Sequence, residues 1–457
     1  MKTIFARLVL FLWMTALPSF SSSALTTLYS FTNGVDGSQP YAGLALGGDG
    51  NFYGTCFEGG AYDFGSVFKI TPGGVLTPLH PFSFGDGDGP TAGLAQGSDG
   101  NFYGTTSYGG TDYPFYGTVF QISSNGAFNS LYSFTNGADG ASPSAGLTQG
   151  ANGAFYGTTL NGGSNGCGTV FQITSAGALT ALYSFTNGVD GSQPRTALAL
   201  AGDGSFYGTA YYGGTAGQGV VFHLTAAGAL TPLYSFTNGG DGANPLGQLA
   251  QGTNGLLYGT ASAGGADGFG TVFDMTAGGV FNVLYAFTNG SDGAYPEAGL
   301  TLGSDGNFYG ATSSGGPCGN GGVFKITPQG ALTALYLFTG GNDGSSSCAM
   351  LAQGSDGDLY GTTQYGGADG EGVVFKINPF STAPVLTSIT QSAGTIGITW
   401  TGLPGKSYQA QYATNLNQTN WSKLGGAVTA TNGTGSQTDS APGHPERFYR
   451  VYLIPWL

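Results

Sequence analysis

The sequence predicts an all-β protein, and three features of its composition lead to that prediction. Glycine supplies 88 of the 457 residues, and each glycine weakens a helix interior by about 1 kcal/mol relative to alanine. The 31 Phe and 26 Tyr lie between glycine-rich turns, where aromatic residues favour strands. Charged residues make up only 7% of the chain, too few for helices held by salt bridges. We therefore expect strands throughout.

Residues 1–24 are predicted to be a signal peptide. Lys2 and Arg7 lie ahead of an apolar run, and small residues up to Ala24 follow it, as a signal peptidase requires. No later stretch approaches the roughly 18 apolar residues of a membrane span. We expect a secreted or cell-surface protein without a membrane span.

One unit of about 51 residues recurs seven times after this segment. Its Tyr-Gly pair returns at spacings of 50, 53, 51, 51, 51 and 51 residues. The seven tyrosines are Tyr53, Tyr103, Tyr156, Tyr207, Tyr258, Tyr309 and Tyr360. Each copy reads as four short strands, and Asp-Gly or Asn-Gly pairs supply the tight turn between the first two. This is the pattern of a propeller blade, so residues 25–379 are predicted to form a seven-bladed β-propeller.

The two ends of the array are predicted to meet in one sheet. The first copy begins one strand early, with Leu25–Phe31, and the last copy stops after its third strand at Ile377. Leu25–Phe31 should therefore be the outermost strand of the seventh blade, paired with Val373–Ile377, which closes the ring and leaves few exposed edges.

The chain beyond the array reads as a second, smaller domain. Residues 380–384 are interpreted as a linker, and residues 385–457 contain alternating runs such as Ile396–Trp400 and Tyr408–Tyr412. These runs resemble a small fibronectin type III-like β-sandwich. Trp400 and Trp421 are expected to be core residues.

Three phrases that recur in the array resemble a known repeat. They are Gly-Thr-Val-Phe-Lys/Gln-Ile-Thr, Leu-Tyr-Ser-Phe-Thr-Asn-Gly and Asp-Gly-Asn-Phe-Tyr-Gly-Thr, and they extend over about 350 residues. They resemble the GloVer tandem repeat of exported bacterial proteins. That resemblance implies export and a repeat architecture, and it implies no activity.

The acidic residues are interpreted as turn formers, although the net charge is −14. One Asp precedes Gly in the loop that enters each inner strand, and the set is Asp36, Asp88, Asp139, Asp190, Asp241, Asp292 and Asp343. Asp before Gly is explained by turn formation, so we expect no metal ion and no other cofactor. The alternative is a cation bound by the ring of seven, although calcium prefers clustered carboxylates from one loop. With only 10 Lys and Arg residues, we expect no nucleic-acid partner.

The loops between the second and third strands are the predicted binding region, because the copies differ there. The second copy has the longest loop, and its candidate ligand-binding residues are Tyr108, Tyr113, Phe115 and Tyr116. Aromatic side chains on a loop at one rim could stack on sugar rings. The alternative reading is that these rings only cover neighbouring blades.

Two further residue pairs are candidates for chemistry. Glu58 and Glu371 belong to copies that should be neighbours across the ring closure, and they are the weak candidates for an acid pair in glycoside cleavage. Cys318 and Cys348 should lie on one rim of adjacent blades and are predicted to form the only disulfide.

The function expected from these features is binding rather than catalysis. We expect a monomeric, secreted, non-catalytic protein that binds a polysaccharide or cell-surface component on the propeller rim. One alternative is a carbohydrate-active enzyme, a glycoside hydrolase or lyase, that uses rim carboxylates. The other is a structural spacer with no ligand.

Overall fold

The computed structural model describes residues 25–111, 113–379, 386–392, 395–401, 407–414, 421–429, 434–440 and 448–453. The predicted signal peptide and the predicted linker lie outside these residues. The described chain is all β, and it contains no helix long and apolar enough to cross a bilayer. It divides into two compact units, of which Ser23–Pro379 holds the repeats and Phe380–Leu457 the rest of the described chain.

The repeat unit of the chain contains 28 strands. Their bounds are β1 Leu25–Ser30, β2 Ala45–Leu46, β3 Phe52–Cys56, β4 Ser66–Ile70, β5 Leu76–Pro81, β6 Ala95–Gln96, β7 Phe102–Thr106, β8 Thr118–Ile122, β9 Phe128–Ser133, β10 Thr148–Gln149, β11 Phe155–Thr159, β12 Thr169–Ile173, β13 Leu179–Ser184, β14 Ala199–Leu200, β15 Phe206–Ala210, β16 Val220–Leu224, β17 Leu230–Ser235, β18 Ala250–Gln251, β19 Leu257–Ala261, β20 Thr271–Met275, β21 Phe281–Ala286, β22 Thr301–Leu302, β23 Phe308–Thr312, β24 Gly322–Ile326, β25 Leu332–Leu337, β26 Ala352–Gln353, β27 Leu359–Thr363 and β28 Val373–Ile377.

These strands form seven four-stranded antiparallel sheets. Sheets 1 to 6 each take four consecutive strands, from β2–β5 for sheet 1 to β22–β25 for sheet 6. Sheet 7 has the order β1-β28-β27-β26, so its outer strand comes from the start of the chain. Leu25 pairs with Ile377 and Ser30 with Val373, which confirms the predicted strand pairing.

The Tyr-Gly pair recurs because an aromatic ring packs directly on the glycine. A Cβ atom at Gly54 of β3 would come within 2.5 Å of Cζ of Phe68 on β4. The same approach is found at Gly104, where Phe120 Cζ would lie 2.5 Å away. Any side chain would displace the ring, so only glycine fits this position.

Successive sheets are joined by aromatic stacking between their second strands. Tyr53 of sheet 1 stacks on Phe102 of sheet 2, with ring centroids 3.9 Å apart. Phe52 of sheet 1 stacks in the same way on Tyr360 of sheet 7, at 4.1 Å. Thr362 in sheet 7 also donates a hydrogen bond to the Ala42 carbonyl oxygen at 3.0 Å. Sheets 7 and 1 are therefore packed in the manner of consecutive sheets.

The second unit contains two antiparallel sheets. Their strands are β29 Leu386–Ser392, β30 Thr395–Thr401, β31 Ser407–Ala413, β32 Ser422–Lys423, β33 Val428–Thr429, β34 Thr434–Asp439 and β35 Phe448–Leu453. β30 lies between β29 and β34, and β31 pairs with β32, β33 and β35. Trp400 of β30 and Tyr408 of β31 are buried in one cluster, as expected for Trp400. Trp421 is partly exposed, and the Arg450 guanidinium lies 4.5 Å from its ring centroid.

Candidate functional site

An open cavity of about 590 Å³ is lined by residues from all seven repeats. Most of its wall is formed by the short segments that lead into the first strand of each sheet, such as Tyr41–Leu44 and Thr91–Leu94. These segments approach one another closely: a Cβ atom at Gly43 would lie 2.7 Å from the Met350 carbonyl oxygen. The volume lies within the range of about 300–1,000 Å³ that is typical of small-molecule sites.

One position of the repeat faces this cavity in every copy and is different in every copy. We call the seven side chains at this position the cavity ring, and they are Tyr41, Thr91, Ser144, Arg195, Leu246, Glu297 and Cys348. In six copies the residue before it is proline, which fixes the backbone φ. The proline thus gives these six copies a similar backbone conformation before this position, while the side chain at the position itself differs from copy to copy.

A second position, sixteen residues further along the chain, supports the cavity ring in three copies. Thr91 Oγ1 lies 2.9 Å from Ser107 Oγ, and Ser313 donates a hydrogen bond to Glu297 Oε1 at 3.2 Å. In the fourth copy the Arg195 guanidinium lies 4.4 Å from the ring centroid of Tyr211. The supporting residue is thus a serine for Thr91 and Glu297 and a tyrosine for Arg195.

The charges of the cavity ring act on the Tyr41 hydroxyl. Burial raises the pKa of Tyr41, Cys348 and Glu297 raise it further, and Arg195 lowers it. The phenol therefore stays neutral and lies within the fields of both charged side chains. Burial, followed by the negative charge of Glu297, also raises the pKa of the Cys348 thiol. A neutral thiol is a poor nucleophile.

The four predicted ligand-binding residues do not share one surface. Tyr108 lines the cavity and is half-exposed. Tyr113 is 85% exposed and packs edge-on against Phe115, at a centroid distance of 5.4 Å. Phe115 also contacts Phe84 of the preceding loop, at 4.8 Å. Tyr113 and Phe115 therefore extend an aromatic cluster between sheets 1 and 2, away from the cavity.

Tyr116 is partly buried and packs against the core of the array. Its side chain packs on the cluster between sheets 2 and 3 that contains Phe134 and Leu147. The ring of Tyr116 therefore packs on a different part of the structure from Tyr113 and Phe115, and a single stacking platform of all four residues stays a prediction.

Glu58 and Glu371 both meet the same residue, Gln39. The Gln39 side-chain amide donates a hydrogen bond to Glu58 Oε2 at 2.9 Å, and the Gln39 amide N–H donates to the Glu371 carbonyl oxygen at 2.9 Å. Asp88 is a further acid near Glu58, since burial and then the charge of Glu58 raise the pKa of Asp88.

The predicted Cys318–Cys348 disulfide is absent from the structure, in which both residues are free thiols. Cys348 lines the cavity, and its Sγ lies 3.5 Å from Ser346 Oγ. Cys318 is an exposed loop residue. The two thiols face different surroundings, which sequence position alone did not reveal.

The carboxylates of the loop aspartates accept hydrogen bonds from residues of their own turns, in agreement with the interpretation of these residues as turn formers. Asp36 accepts hydrogen bonds from the Thr32 amide at 2.9 Å, the Thr32 hydroxyl at 2.7 Å and the Tyr29 hydroxyl at 3.1 Å. In the second copy this role falls to Asp86 and not to Asp88, because that loop is one residue shorter. No group of three His, Cys, Asp or Glu side chains suited to a metal ion occurs among the described residues.

The cavity ring was missed from sequence because its members share no residue type. The signal that could have identified it is the residue after Pro40 and the equivalent prolines, which changes in each copy while its neighbours repeat.

The Gloeobacter/Verrucomicrobia repeat matches the chain at residues 17–150, 114–305 and 289–403. No curated protein matches the sequence.

Several solved structures are similar in fold at low identity. A provisionally assigned 6-phosphogluconolactonase from Bacteroides uniformis shares 14% identity at a TM-score of 0.46, over 65% of this chain and 85% of that one. A sialidase from Trypanosoma rangeli shares 10% at 0.42, over 95% and 87%. A puromycin hydrolase shares 11% at 0.46, over 84% and 62%. These likenesses assign no activity to this chain.

Proposed function

The chain belongs to the Gloeobacter/Verrucomicrobia repeat family, and from this premise we propose that its seven repeats form a seven-bladed β-propeller that binds a ligand in the central cavity. The packing of sheet 7 on sheet 1 supports a closed ring, because it repeats the stacking found between sheets 1 and 2. We further propose that the second unit is a fibronectin type III-like sandwich.

The variation of the cavity ring carries the functional proposal. Repetition of the glycines, the turn aspartates and the core aromatics maintains one scaffold, and a position that served only this scaffold would repeat as they do. Seven unlike side chains around one cavity instead provide hydroxyl, thiol, apolar and charged groups, as a specific ligand requires.

The ligand class that we propose is carbohydrate, taken up by a secreted or cell-surface monomer. Hydroxyl groups of Thr91 and Ser144 can bind sugar hydroxyls, and the rings of Tyr41 and Tyr108 can stack on sugar faces. The raised pKa of the Cys348 thiol fits binding better than nucleophilic catalysis.

The test is a glycan array with the purified chain from residue 25 onward. We expect binding of one glycan class and loss of that binding in Leu246→Trp, which fills the cavity. The matched control is Val35→Trp on a loop, where the native side chain is 69% exposed. Both variants should keep the melting temperature of the parent chain.

Two results would contradict the proposal. An array without any bound glycan would remove the carbohydrate class. Binding that survives Leu246→Trp would place the ligand outside the cavity.

A further inference from the structure

The cavity ring contains two side chains of opposite formal charge that do not neutralise each other. Arg195 and Glu297 come from the fourth and sixth copies, and Leu246 of the fifth copy lies between them in the ring. Among the described residues the two ion pairs are His80–Asp86 and Lys376–Asp358, so neither charge is paired. Arg195 is exposed and Glu297 is partly exposed, so solvent reaches both groups, and a ligand that enters the cavity can meet both charges without displacing a protein partner.

Arg195 is held in place with donors to spare. Its Nη2 atom donates a hydrogen bond to Gln193 Oε1 at 3.1 Å, and its guanidinium lies over the Tyr211 ring. These contacts fix the plane of the group, and a guanidinium has five N–H donors in all. The remaining donors suit an anionic group such as a carboxylate, which guanidinium binds through two parallel hydrogen bonds.

Glu297 is positioned in a comparable way. Its carboxylate accepts a hydrogen bond at Oε1 from the Ser313 hydroxyl at 3.2 Å, and the Cys348 thiol is a second hydrogen-bond partner; both contacts orient the carboxylate. The neutral groups Tyr41 and Cys348 lie near it, as their pKa shifts indicate. An ammonium group with three N–H donors could bind Glu297 and its uncharged neighbours together.

We infer that the cavity takes a small zwitterion, with its carboxylate at Arg195 and its ammonium group at Glu297. This inference rests on the proposed function and names the class of its ligand. The zwitterion can be an amino sugar that carries an acid, or an amino acid without a sugar ring.

The experiment is calorimetric titration of the purified chain at low salt with four probes. Muramic acid carries both charges on a sugar, glucuronic acid only the carboxylate and glucosamine only the ammonium group. The fourth probe, 6-aminohexanoic acid, carries both charges without a sugar. We expect muramic acid to bind at least about 10-fold more tightly than either singly charged sugar, since each charge-assisted hydrogen bond contributes that much or more.

Two cavity variants and two charge-matched controls assign the contacts. Arg195→Gln and Glu297→Gln should each weaken muramic acid binding by about 10- to 100-fold. Lys69→Gln and Asp267→Asn make the same changes of net charge, the first on β4, the third strand of sheet 1, and the second on an exposed loop, and should leave binding unchanged. All four variants should keep the parent melting temperature, because none of these side chains is buried.

The inference is overturned if neither muramic acid nor 6-aminohexanoic acid binds more tightly than glucuronic acid and glucosamine, or if the controls weaken binding as much as the cavity variants. Equal binding of 6-aminohexanoic acid and muramic acid would keep the zwitterion and remove the carbohydrate class. A glycan found on the array whose binding needs the open cavity but neither charge would keep the proposed function and remove the zwitterion.

Discussion

Asp86 and Asp88 are two residues apart, and the folded state changes the pKa of each in opposite directions. Burial alone would raise the pKa of Asp86, but hydrogen bonds from His80 and from the Ser83 amide outweigh it and lower that pKa. Burial and the charge of Glu58 raise the pKa of Asp88. Ionised Asp86 therefore stabilises the fold, whereas ionised Asp88 destabilises it.

We predict that Asp86→Asn and Asp88→Asn have opposite effects at neutral pH. Asp86→Asn should lower the free energy of unfolding by about 1 kcal/mol, a small value because solvent reaches this carboxylate. Asp88→Asn should leave stability unchanged or raise it slightly. Above about pH 5 both side chains of the parent chain are largely ionised in the unfolded state, so the difference between the variants is present there.

The difference should shrink as the pH falls through the lowered pKa of folded Asp86, since the parent side chain then becomes neutral as well. Urea unfolding of the parent and both variants between pH 3 and 7 measures this. Equal stabilities of the two variants at pH 7 would contradict the assignment.

Tyr113 and Tyr116 are only three positions apart in the chain, but their rings have different surroundings. The ring of Tyr113 contacts Phe115, whereas the ring of Tyr116 packs on the core cluster that contains Phe134. We predict that Tyr116→Ala lowers the free energy of unfolding by about 1–3 kcal/mol, because it opens the core beside Phe134. Tyr113→Ala should change it by less than about 0.5 kcal/mol, because that ring is mostly exposed. Urea unfolding of both variants measures this difference. Equal decreases in the free energy of unfolding would show that both rings are packed in the core.

At the scale of the element, β1 is the strand with the most distant partner. We predict that deleting Leu25–Phe31 lowers the melting temperature and causes aggregation. The deletion exposes the edge of β28 and removes Phe31, which is buried against Phe68. Loss of a buried Phe side chain alone costs about 3–5 kcal/mol.

The control for this deletion is Thr26→Ala, which keeps β1 and changes only an exposed side chain. Light scattering and thermal unfolding should separate the two variants. A monomeric deletion variant with the parent melting temperature would show that β1 is dispensable.

The strands were predictable from sequence because local chemistry determines them. The Tyr-Gly pair marks the second strand, since only glycine fits under the ring of the third strand, as at Gly54 and Phe68. The turn between the first two strands was also predictable, with Gly50 at a φ of +78° where other residues are strained. These rules act within one repeat and so are visible in each copy.

The candidate site was less predictable because it exists only when the copies are brought together. Loop length drew attention to Tyr113 and Phe115, but a long loop can as well cover its neighbour, as these rings do at Phe84. Arg195 and Glu297 lie 102 residues apart in the chain and meet the same cavity only through the arrangement of the sheets. The sequence alone does not show that these two side chains face one cavity, because their directions depend on how the sheets are arranged.

At the scale of the whole molecule, the low content of charged residues means that each charged side chain in the cavity contributes a larger share of the local electrostatic potential. With 10 Lys and Arg residues in the entire chain, few cations are available to pair with Glu297 or to compete with Arg195. The electrostatic potential in the cavity is therefore set mainly by Arg195 and Glu297, because fewer other charged side chains add to it or oppose it than in a protein of ordinary composition.

The pairing of β1 with β28 also determines the order in which the chain can fold during synthesis. Leu25 leaves the ribosome among the first residues of the array, and its partner Ile377 among the last. Sheets 1 to 6 can form one after another from neighbouring strands, whereas sheet 7 must wait, and joining ends so far apart has an entropic cost that slows folding. Throughout translation, therefore, the array has an unpaired leading strand, and its final shape is reached only after the last repeat is complete.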